Sequence, residues 1–147
     1  MDAAGQSLAV HFQALELPPE AAGWLLDVWQ LIQTLDDVAD GDTVGRDDLN
    51  AAIWAALVTM PANPFYLANA QALQSALASL VLKWQASDDA ERQGKADARS
   101  FMWRAGYYDL ILLVVLLTKG HATAMSKAMT VMHLYGETLH DYLKEFS

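Results

Sequence analysis

The chain has no cysteine in its 147 residues, which excludes disulfides, thiolate metal sites and cysteine nucleophiles together and fits a cytoplasmic, reducing location. Basic residues are scarce: 9 Lys and Arg stand against 18 Asp and Glu, for a formal charge of −9. With no Lys/Arg cluster, the counterion release that drives nucleic-acid binding has no source, and anionic membrane surfaces repel the chain. The N-terminus lacks a basic start followed by a short apolar run and a small-residue cleavage site. The longest uninterrupted apolar run, Leu110 to Leu117, falls short of the roughly 18 residues a membrane span needs. Strand signals are missing as well, because apolar and polar residues never alternate for long. Nucleophile elbows, Walker loops and Gly-x-Gly-x-x-Gly turns are all absent.

What is present is helical. Hydrophobic residues make up 54% and charged residues 18%, a globular balance rich in Ala, Leu, Met and Gln. The pattern predicts an all-α fold of one domain over residues 1–147, a bundle of about six helices around a central apolar helix at about 96–119. Expected helices run from Ser7 to Leu15, from Pro18 and Pro19 to Ala39, from Asp47 to Met60 and from Pro64 to Ala86. A fifth starts near Ser87 or Asp88 and passes through Gly94 into the central helix, which Lys119 and Gly120 stop. The last spans Thr123 to Phe146. Asn63 is the expected cap before Pro64, and Asp88 with Glu91 has capping-box spacing.

Asp36, Asp37 and Asp40 spell Asp-Asp-x-x-Asp near the end of the second helix. Over residues 31–42 the chain resembles the aspartate-rich motif of class I isoprenoid synthases of the squalene/phytoene synthase kind. The resemblance implies Mg2+ held by Asp36, Asp37 and Asp40 for a diphosphate substrate; the chain is about half the length of such enzymes and has no second motif. A helical wheel offers the alternative of an amphipathic helix with solvated acids, its apolar side built from Trp24, Leu25, Val28, Leu31, Ile32, Leu35 and Val38. Leu26 and Trp29 fall among the acids, which marks them as interface candidates. An EF-hand register from Asp40 fails at Val44 and Ala51, where ligands belong.

His133, Glu137 and His140 share a face of the expected last helix, with an E-x-x-H step of the kind used in metal-binding bundles. They are weaker metal candidates, since the same face reads more readily as solvated. Asp109 has apolar neighbours at helical spacing and is expected to be buried, either paired with Arg46, Arg92 or Arg99 or serving as a further metal ligand. Five tryptophans and five tyrosines favour a non-enzymatic interaction protein, homo-oligomeric or bound to a protein partner. The alternative is a metal-dependent protein acting on a phosphate or diphosphate compound.

Overall fold

The computed structural model describes residues 2–147 and is all-α, with no strand among the described residues. Internal contacts group the chain into two compact units, Met1–Ala70 and Gln71–Ser147.

In the first unit, α1 (Ala3–Ala14) packs on α2 (Pro19–Ala39). The Asp2 carboxylate caps α1 by accepting from the Gly5 N–H at 2.7 Å. Leu8, Phe12, Leu17, Ala21, Trp24, Leu25 and Val28 are buried, and Trp24 stacks on Tyr66 with ring centroids 5.8 Å apart. The apolar side expected of α2 is buried only along its first half. Leu35 and Val38 emerge exposed, because the core ends before the helix does.

Next come α3 (Arg46–Trp54), a π-helical turn at Ala55–Thr59, α4 (Met60–Ala62) and α5 (Pro64–Ala68). Gly45, not Asp47, occupies the cap position of α3. Asn63 caps α5 as expected, accepting from the Phe65 and Tyr66 N–H groups, while its amide donates to the Glu20 carbonyl at 3.0 Å. This side chain ties the start of α5 to the start of α2.

The second unit is formed by α6 (Ala70–Arg92), α7 (Ala98–Trp103), α8 (Gly106–Lys119), α9 (His121–Met132) and α10 (Leu139–Glu145). The break expected at Ala86 is absent: α6 runs on to Arg92, and Gly94, at φ +70°, lies in the connection that follows. The capping box forms not at Asp88 and Glu91 but after the connection, between Asp97 and Ser100 at the start of α7.

The stretch Ala98–Lys119 is the expected apolar centre. By length and composition it could cross a membrane, yet half of its most apolar window is buried within the protein, as in a core helix. Leu110, Ile111, Val114 and Val115 are buried, while Leu116 and Leu117 at its end are exposed. Gly106 lets α8 approach α6, since a Cβ there would meet the Leu80 side chain at 3.3 Å and its Cα at 3.4 Å. Gly120 alone joins α8 to α9 at φ 88° and ψ 174°, a conformation essentially reserved for glycine, and α9 packs back on α8.

Candidate functional site

The most elaborate polar arrangement lies in the second unit, where α6, α7 and α10 each contribute to one hydrogen-bonded group. It begins with local capping. Asp97 accepts from the Arg99 and Ser100 N–H groups, and its own N–H donates to Ser100 Oγ at 2.9 Å, so α7 starts with its first-turn donors satisfied. A bidentate contact from the Arg99 guanidinium, the largest cause, holds the exposed Asp97 carboxyl below the usual range.

From Ser100 the network spreads inward. Tyr142, fully buried on α10, donates its phenolic proton to Glu91 Oε2 at 2.7 Å and stands 2.7 Å from Ser100 Oγ. With that proton committed to Glu91, Ser100 Oγ has to donate in the second contact, for which the Asp97 carbonyl at 3.0 Å competes. Ser87 Oγ lies 2.8 Å from the Ser100 carbonyl and 3.1 Å from Glu91 Oε2, and its single proton serves one at a time.

Arg104 supplies the positive charge, with Nη1 3.5 Å from Glu91 Oε2 and Nε 3.7 Å from Glu137 Oε2. Its Cζ also lies 5.1 Å from the centroid of the Tyr142 ring, within cation–π range. Tyr135 Oη stands 3.2 Å from both the Phe101 carbonyl and Glu137 Oε2. Around these polar atoms Phe101 stacks on Tyr135 at 5.0 Å, with Tyr142 tilted against it at 5.5 Å.

This arrangement ties α6, α7 and α10 together. Burial, reinforced by the Glu137 charge, raises the phenol pKa of Tyr108 and Tyr135, and burial with the Glu91 contact raises that of Tyr142. Tyrosines so placed hold their protons more tightly than a free phenol and serve as hydrogen-bond donors. Sequence periodicity missed the group because Glu91 and Tyr142 are 51 residues apart. The Asp-x-x-Ser spacing at Asp97 and Ser100 is the local signal that could have placed the start of α7.

The residues singled out from the sequence are arranged differently. Asp36 is half-buried, and Asp37 and Asp40 are exposed in the last turn of α2. Gly41 at φ 78° ends that helix, with the Asp42 N–H donating to the Asp37 carbonyl and the Gly41 N–H to the Val38 carbonyl, a Schellman stop. Asp27, which lies between the interface candidates Leu26 and Trp29 in the sequence, has its carboxyl pKa raised by burial.

The expectation of a buried Asp109 is overturned. Its side chain is 59% exposed in the first turn of α8 and pairs with Lys83 at 2.9 Å, not with an arginine. The wheel failed there because it treated a helix with one open side as wholly enclosed. The continuous last helix is also corrected. His133 caps the end of α9, Glu137 lies in the connection, and His140 sits in α10, so the three share no helical face. Glu137 turns to Arg104 and Tyr135, while His133 and His140 are exposed. Among the described residues, no three His, Asp or Glu side chains gather as a metal ion would require.

Leu26 and Trp29 are half-covered by the chain itself. The strongly exposed apolar side chains of the first unit lie further along: Leu49, Ile53 and Trp54 of α3, then Leu57 and Val58 in the π-helical turn. Trp54 is 62% exposed and Leu57 74%.

Compared with family models, with curated proteins and with solved structures, the chain matches none.

Proposed function

We propose that this is a non-enzymatic helical interaction protein that offers an apolar face of its first unit to a protein partner. The observation that carries the reading is the exposure of Trp54 and Leu57 with their neighbours Leu49, Ile53 and Val58 along one stretch of helix. Large side chains cost solubility when left in water, and a contiguous group of them marks an association surface. A cytoplasmic setting belongs to the same reading and rests on the missing cysteines.

If these side chains serve association and not folding, Leu57→Asp should unfold in urea within about 0.5 kcal/mol of the parent chain. A loss of about 2 kcal/mol would place Leu57 in the core energetics and end the reading.

The second reading, a divalent-metal protein for a phosphate compound, draws on Asp36, Asp37 and Asp40 in adjacent turns. Thermal melting with and without millimolar Mg2+ separates the two. A bound ion at 100 times its dissociation constant adds about 2.7 kcal/mol. The interaction reading expects no shift in the parent chain or in Asp37→Ala, and a shift abolished by that substitution would reverse the choice.

A further inference from the structure

The formal charge is not spread along the chain. Arg46 is the only Lys or Arg before Gln71, against ten Asp and Glu, so residues 1–70 carry the whole −9, whereas residues 71–147 hold eight of each sign. Several of those acids lie close in sequence to the apolar face. Asp47 and Asp48 occupy the first turn of α3, and Asp36, Asp37, Asp40 and Asp42 lie at the end of α2 and in the connection before α3. The α2 and α3 helices pack together within the unit.

The last turn of α2 places its aspartates at the negative end of the helix dipole with no Lys or Arg in that turn to offset them. An apolar face so charged selects its occupant. A second copy applied to the same face would set −9 against −9, and nucleic acid or anionic lipid would be repelled in the same way.

Resting on the interaction reading above, we propose that this face takes a cationic amphipathic helix from another protein. Its apolar stripe would pack on Leu49, Ile53, Trp54, Leu57 and Val58, with its Lys and Arg reaching the aspartates of α2 and α3. Leu49, Ile53 and Leu57 follow one another at intervals of four, spanning about 12 Å of axis at 1.5 Å per residue, a length that matches about two turns of an opposing helix. The π-helical turn at Ala55–Thr59 lies inside the face, and such turns occur frequently at functional positions.

The test uses the full chain and a labelled peptide of Leu and Lys patterned as an amphipathic helix, read by fluorescence anisotropy. A scrambled peptide of the same composition and a Leu/Glu counterpart serve as comparisons. The Leu/Lys helix should bind saturably and the Leu/Glu helix should not. Trp54→Ser with Leu57→Asp should weaken binding about tenfold or more. Asp47→Asn with Asp48→Asn should weaken it several-fold and flatten its salt dependence.

Equal binding of the three peptides, or affinity untouched by the Trp54 and Leu57 substitutions, would overturn the proposed occupant. So would a dimer, seen by light scattering, that disperses on Leu57→Asp. That result would give the face to a second copy and leave the interaction reading standing, whereas a Leu57→Asp chain that fails to fold sinks the reading itself.

Discussion

Stability should fall as pH rises above about 10, because four tyrosines of the second unit oppose ionisation together. Burial raises the phenol pKa of Tyr107, Tyr108, Tyr135 and Tyr142, reinforced by the Tyr108 phenol beside Tyr107, by Glu137 for Tyr108 and Tyr135, and by Glu91 for Tyr142. In the unfolded chain the same phenols ionise near pH 10, so there the unfolded state binds fewer protons than the folded one. Rising pH then favours unfolding. The stabilisation is complete below about pH 10 and is lost as pH climbs toward the raised values. Each group contributes at most about 1.4 kcal/mol per pH unit, and only until pH passes its own raised value. Urea midpoints measured from pH 8 to 11.5, beside phenolate absorbance of the folded protein, check this. A flat profile, or phenolate appearing near pH 10 without unfolding, would contradict it.

Removing the carboxylate at the centre of the network should have the next largest effect. Glu91→Ala takes away the acceptor of Tyr142 Oη and Ser87 Oγ and one of the two carboxylates beside Arg104. Glu91 is only 13% exposed and Arg104 22%, so water replaces these partners poorly. A loss of about 2–4 kcal/mol is expected, between the cost of a neutral unsatisfied group and that of a broken buried ion pair, since Glu137 still faces the guanidinium. Glu91→Gln keeps an acceptor oxygen of the same reach and should lose about 1 kcal/mol. Chemical denaturation of both variants gives the comparison. Equal stability of Glu91→Ala and the parent would show that the network is ornamental.

The parts of this molecule legible in the sequence are those governed by near neighbours along the chain. The all-α class followed from the lack of alternation, the cap at Asn63 from its place before Pro64, and the apolar centre near residue 110 from a run of Leu, Ile and Val. Distant partners decided the rest. Nothing local showed that Lys83 would reach Asp109, or that Tyr142 would close on Glu91 and Ser100. The break after His133 had a weak signal in Gly136 and in Thr138, whose hydroxyl accepts from the Asp141 N–H at 3.2 Å to start α10. The exposed end of α2 was misjudged because a wheel shows which side is apolar and not how far a neighbour extends along it.

The uneven placement of charge makes one stretch of the chain strongly acidic and leaves the other balanced. An anion-exchange matrix would hold the protein by residues 1–70 alone, while a fragment of residues 71–147, carrying equal numbers of each sign, would pass through near neutrality. Mobile cations in the surrounding solvent therefore crowd the first unit, and a positively charged molecule drifting past feels a pull there before it touches anything.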